Sequence, residues 1–177
     1  AVALENLDEE QKERYTATLS LKGNKPYLFG SDIYANESTG EDYDIPGEAL
    51  ADPDFAALIA EAEKYLGFPY VWGGSSPSTS FDCSGFVCYV YTHSGVHNLP
   101  RTTAQGIYNQ CAHIPMSEAK PGDIIFFTGT YNSPGPVSHV GIYVGNNMMI
   151  HCGSPIQYAR TDSSYWSQHF YAIGRLN

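Results

Sequence analysis

The run Val137-Ser138-His139-Val140-Gly141-Ile142-Tyr143-Val144-Gly145-Asn146-Asn147-Met148-Met149-Ile150-His151-Cys152 reads as two β-strands, Val137 to Val144 and Met148 to Cys152, joined by Gly145-Asn146-Asn147. A three-residue loop that offers glycine or asparagine for a left-handed conformation makes this an antiparallel hairpin. Val144 is then expected opposite Met148, and Gly141 opposite His151. His139 and His151 become diagonal neighbours on one face, about 7 Å apart at their backbones and within reach of long side chains. Val140, Ile142 and Val144 point the other way, into a core. A two-residue loop would place the histidines on opposite faces, so the register decides whether they form a pair.

Outward from the hairpin, Asp123 to Thr128 and Phe170 to Leu176 read as further strands separated by turn-rich stretches. Upstream the period is helical. Asp52-Pro53 supplies a cap and a first-turn proline, Phe55, Leu58, Ile59, Ala62 and Leu66 form an apolar stripe, and Gly67 ends it. A second helix begins near Asp82 or Cys83 and runs to His93; a shorter one spans Thr102 to Cys111. Helices followed by an antiparallel sheet give an α+β fold. Residues 52–177 form the domain. Residues 1–51 read as an acidic, partly ordered arm, either a linker from an upstream domain or a segment wrapped on the main one, with Tyr15, Tyr27, Phe29, Tyr34 and Tyr43 favouring wrapping.

The chain has 177 residues and a formal charge of −10, with 42% apolar and 16% charged residues, which suits a packed core and excludes a wholly disordered chain. Residues 1 to 63 carry 15 acids and 4 bases, whereas 64 to 177 carry 4 acids and 5 bases. Without a Lys/Arg cluster there is nothing to neutralise phosphates, so nucleic acid and anionic membranes are not the expected partners. No apolar run approaches the roughly 20 residues that span a bilayer. The N-terminus has no basic-then-apolar signal pattern, and a chain starting at Ala1 fits a processed or excised piece. The four cysteines, Cys83, Cys88, Cys111 and Cys152, are too few and too irregular for a disulfide framework or structural zinc. Free thiols, no metal and no cofactor are expected.

Cys83 differs from the other three by its place at a helix N-terminus, where the helix dipole and unpaired amides favour the thiolate over a thiol of pKa roughly 8.5. Read alone, it is as readily a small core residue. With a histidine base and a second polar group to orient that base, a Cys-His-polar triad emerges in the chain order nucleophile, base, orienter.

Six ordered motifs carry a resemblance: Pro69-Tyr70-Val71-Trp72-Gly73-Gly74, Phe81-Asp82-Cys83-Ser84-Gly85-Phe86-Val87, Arg101-Thr102-Thr103-Ala104-Gln105, Pro121-Gly122-Asp123-Ile124-Ile125-Phe126-Phe127, Ser138-His139-Val140-Gly141-Ile142-Tyr143 and Met149-Ile150-His151. In this order they resemble the NlpC-type cell-wall cysteine peptidases, the p-sixty family, from about Pro53 to the end of the chain. The resemblance implies a papain-like fold, N-terminal helices packed on a central antiparallel sheet, that hydrolyses peptidoglycan stem peptides between γ-D-Glu and a diamino acid (diaminopimelate or lysine) outside the bacterial cell or at its wall.

Carried over residue by residue, the resemblance makes Cys83 the nucleophile, His139 the general base and His151 the orienting group. It places Tyr70 near the oxyanion, Asp82 and Ser84 at the substrate's free amine, and Arg101 beside the cleft. Tyr70 equally suits packing beside Trp72, Asp82 a helix cap and Arg101 a structural ion pair. Other reactions on the same fold, an amidase or an acyl- or transglutaminase-type transferase, remain open, as does a non-catalytic wall-binding module.

Overall fold

The computed structural model describes residues 43–176. Tyr43, Ile45 and Ala49, the last part of the acidic arm, pack against the main core, and the Tyr43 ring lies 5.6 Å from that of Tyr158. The rest of the arm lies outside the described residues.

Helix α1 spans Pro53–Glu63. The Asp52 side chain accepts from the backbone N–H groups of Asp54 (3.0 Å) and Phe55 (3.4 Å), and the first-turn proline needs no hydrogen bond of its own. Phe55, Leu58, Ile59 and Ala62 form its buried stripe, and the chain leaves the turn that follows through Gly67 at φ +88°. Strands β1 (Ser75–Ser76) and β2 (Ser80–Phe81) make a small hairpin that delivers the chain to α2, Cys83–His93. Helix α3 is the short Ala104–Tyr108 segment, capped by Thr103.

There follow β3 (Ala112–Ile114), β4 (Ile124–Thr128), β5 (Val137–Gly145), β6 (Met148–Cys152), β7 (Ile156–Arg160), α4 (Ser164–His169) and β8 (Phe170–Arg175). The six longer strands form one antiparallel sheet in the order β3-β8-β4-β5-β6-β7. One face buries Ile124, Phe126, Val140, Ile142 and Ile150 with the stripes of α1 and α2. The other face buries Ile125, Phe127, Tyr143 and Met149 with Trp166 from α4. The architecture is thus the α+β arrangement expected, with the addition that a short helix late in the chain covers part of the second face.

The hairpin corrects the expectation in one detail. Gly145, not Val144, pairs with Met148, and the loop is the two-residue Asn146-Asn147, both at positive φ (53° and 57°) as a tight hairpin turn requires. The register nevertheless has Gly141 opposite His151, because Val144 is an extra, bulged residue between the Tyr143–Met149 and Gly145–Met148 pairs. A regular two-residue hairpin would have turned the histidines apart; the bulge returns them to one face.

Candidate active site

The first turn of α2 is held by the Asp82 carboxylate. One oxygen accepts from the Gly85 N–H at 2.8 Å and from the Ser84 hydroxyl at 3.3 Å; the other accepts from the Gly73 N–H at 3.0 Å. Arg101 closes the group, donating to Asp82 Oδ2 at 2.8 Å and to Ser84 Oγ at 2.7 Å. The helix start sits hard against the Gly73-Gly74 turn: a Cβ on Gly85 would come within 2.0 Å of the Gly74 carbonyl oxygen. These contacts fix Cys83 as the first residue of α2, with only 5% of its surface exposed.

Helix α2 packs across β5 and β6. The backbone N–H groups of Ser84 and of Val140, the residue after His139, reach the Cys83 sulfur. Burial, and then the Asp82 carboxylate, push the thiol up to about 12, while those two amides and Arg101 pull in the opposite direction without offsetting them. Placement at a helix N-terminus therefore does not by itself give a resting thiolate here, as the sequence suggested, because desolvation outweighs the local dipoles.

His139 and His151 are fully buried and share a face. His139 Nε2 lies 2.9 Å from His151 Nδ1, and the rings meet edge to face with centroids 5.1 Å apart. Burial, and then the neighbouring His151, hold His139 well below the ordinary imidazole value, and burial takes His151 down to about 3. Both rings are neutral, so one shares its N–H with the lone pair of the other. With Nε2 on His151, proton exchange with a substrate or a thiol would run through the other ring nitrogen of His139, Nδ1. Gly141 opposite His151 makes room for the pair, since a Cβ there would stand 3.0 Å from the His151 Cβ.

The remaining expected residues fall around this centre. Tyr70 is half-buried and its backbone bridges to Phe81, two residues from Cys83. Asp82, Ser84 and Arg101 form the single network described above, so Arg101 does make the ion pair. Two residues went unread in the sequence. Tyr131 sits on the loop between β4 and β5 and contacts Trp72 edge-on at 5.5 Å; burial and the nearby Cys83 and Asp82 push its phenol up to about 12. Trp166 packs against both histidines. Ser163 capping the turn that carries Trp166 was the available signal for the second. The loop bearing Tyr131 offers no periodicity at all.

Comparison with known proteins agrees with this geometry. The sequence pattern of the NlpC/P60 family matches residues 67–175. The bifunctional muramidase/DL-endopeptidase CwlT of Bacillus subtilis (strain 168) is 45% identical over 123 residues, covering 69% of this chain and 36% of that protein. The probable endopeptidase p60 of Listeria welshimeri is 46% identical over 120 residues, 67% of this chain and 22% of the other. Among solved structures, a protein similar to lipoprotein, of the NLP/P60 family, from Staphylococcus aureus subsp. aureus Mu50 superposes with a TM-score of 0.68 at 43% identity, covering 77% of this chain and 43% of that one. The matches span roughly a fifth to a third of these curated relatives.

Proposed function

Since this chain belongs to the NlpC/P60 family, we propose that it is a peptidoglycan hydrolase acting as a cysteine endopeptidase on stem peptides, with Cys83 as nucleophile, His139 as general base and His151 as the orienting group. The observation that carries this reading is the 2.9 Å contact of His139 Nε2 with His151 Nδ1 beside the strand position whose backbone reaches the Cys83 sulfur. In this reading the peptidase domain is residues 52–177, and residues 1–51 are an acidic arm, either a linker or a segment wrapped on the main domain. Its place of action is the wall or the medium outside a bacterial cell.

At rest the thiol and the imidazole are both neutral, so proton transfer accompanies attack. His139 Nδ1 takes the Cys83 proton as the sulfur bonds to the scissile carbonyl carbon, and the resulting oxyanion is held by the Cys83 backbone N–H at the start of α2 and by Tyr70. The same proton passes to the leaving nitrogen as the C–N bond breaks. Water, deprotonated by His139, then cleaves the thioester, releasing the carboxylate and restoring the thiol. Asp82 and Ser84, which flank the nucleophile, are assigned to the substrate's free amine, the Asp82 carboxylate being shared between that amine and Arg101.

The bond assigned is that between γ-D-Glu and the diamino acid, supported by the DL-endopeptidase named among the relatives. Digestion of defined muropeptides, followed by mass spectrometry, tests it. New amino termini on diaminopimelate or lysine are expected. Release of N-acetylmuramoyl-terminated glycan, a cross-linked product, or binding without cleavage would instead identify an amidase, a transferase or a wall-binding module.

A further inference from the structure

Trp166 lies on α4, a helix of six residues, and is completely buried. Its indole stacks on the His139 ring, with centroids 5.1 Å apart and planes 24° from parallel, and meets His151 edge-on at the same distance and 81°. Phe127 backs the indole at 4.6 Å, and Tyr165 flanks it at 4.9 Å. One side chain therefore touches both members of the pair on the sheet face away from α1 and α2. The arrangement exceeds what filling volume requires, since an aliphatic side chain would occupy the space without fixing either ring plane.

We propose that Trp166 is a positioning residue for the proton-transfer pair: its indole sets the planes of His139 and His151 and keeps water from the hydrogen bond between them. The inference rests on the role given to His139 above. Holding the His139 plane aims Nδ1 while Nε2 stays on His151. A π face against that ring also favours the imidazolium formed transiently during attack. Exclusion of water strengthens the histidine–histidine hydrogen bond, which would otherwise compete with solvent.

The test follows the imidazole N–H proton shared by the two histidines, by NMR in the whole 177-residue chain, together with steady-state cleavage of muropeptides by the wild type, Trp166→Phe and Trp166→Leu. The wild type is expected to show a downfield N–H resonance that exchanges slowly with solvent, and Trp166→Phe to retain it. In Trp166→Leu, exchange is expected to quicken by at least about tenfold and kcat to fall by roughly 10- to 100-fold with KM changed less than about twofold. A folded Trp166→Leu protein with wild-type exchange and wild-type kcat overturns the proposal. Should that variant fail to fold, solvent-limited exchange of the N–H in the wild type overturns it equally. Protection of the proton in a wild-type chain that cleaves no muropeptide would remove the peptidase reading, and with it the proton-transfer role, while bearing out the shielding of the hydrogen bond by Trp166.

Discussion

Gly141, not a histidine, stands opposite His151 in the β5–β6 ladder, and that pairing lets His139 reach diagonally to His151 with Nε2 and Nδ1 2.9 Å apart. A methyl group at 141 would sit 3.0 Å from His151 Cβ and 3.1 Å from Met149 Sδ, so these two buried side chains would have to give way by a few tenths of an ångström. Gly141→Ala is expected to cost about 1 to 3 kcal/mol by overpacking and to lower kcat by roughly tenfold or more through displacement of His151. Thermal melting and steady-state kinetics check both.

His151 hydrogen-bonds His139, so its loss should disturb the base without removing it. His151→Ala is expected to lower kcat by about 100-fold or more with little change in KM, and His151→Asn to recover part of the loss, because the amide oxygen can still accept from His139 Nε2. Equal activity in the alanine and asparagine variants would show that the hydrogen bond does not matter.

The pH dependence follows from burial. His139 must be neutral to accept the thiol proton, and its pKa is held well below the ordinary imidazole value. Activity is therefore expected to stay level from about pH 8 to about pH 6 and to fall only as the pH passes through the lowered value. Stability moves in the same direction. Below the ordinary value of 6.5 the unfolded chain takes up protons that the buried imidazoles refuse, so folding stability should decline by about 1.4 kcal/mol per pH unit for each of His139 and His151. An acidic limb centred at the ordinary histidine value would contradict this, and denaturant melts at several pH values measure the slope.

Asp82 serves the fold before any substrate arrives. Its carboxylate caps α2, holds the Gly73 N–H and pairs with Arg101, and its side chain is much less exposed (12%) than that of Arg101 (38%). Asp82→Ala is expected to destabilise the protein by about 2 to 4 kcal/mol, and Arg101→Ala by about 1 kcal/mol because its charge is partly screened by water. A melting-temperature comparison tests the order. Asp82→Asn, which keeps the cap, should raise KM for substrates with a free amine more than for those without one.

The long strands and helices were legible because each repeats its period several times: the Phe55 to Ala62 stripe, and the His139–Gly141–Tyr143 alternation against Val140–Ile142–Val144. Cys83 at a helix start could be read from Asp82 as cap. Ala112–Ile114 and Ser164–His169 are too short to separate strand, helix and turn, and Ile156–Arg160 sets Gln157 and Arg160 among few apolar residues, which leaves a weaker strand signal than the apolar runs Ile124–Thr128 and Met148–Cys152. The bulge at Val144 was illegible for another reason. A two-residue loop plus one extra strand residue yields the same cross-strand register as a three-residue loop, and only the backbone distinguishes them. Nor could the sequence weigh the helix dipole at Cys83 against burial, since burial depends on how α2 meets β5.

The central claim is that the Cys83 sulfur performs the cleavage. Purified peptidoglycan incubated with the wild type and with Cys83→Ala, with new amino termini identified by mass spectrometry, tests it most directly. The wild type is expected to release them and the alanine variant, folded with an unchanged circular-dichroism spectrum, to release none above background. Continued release by folded Cys83→Ala would contradict the account.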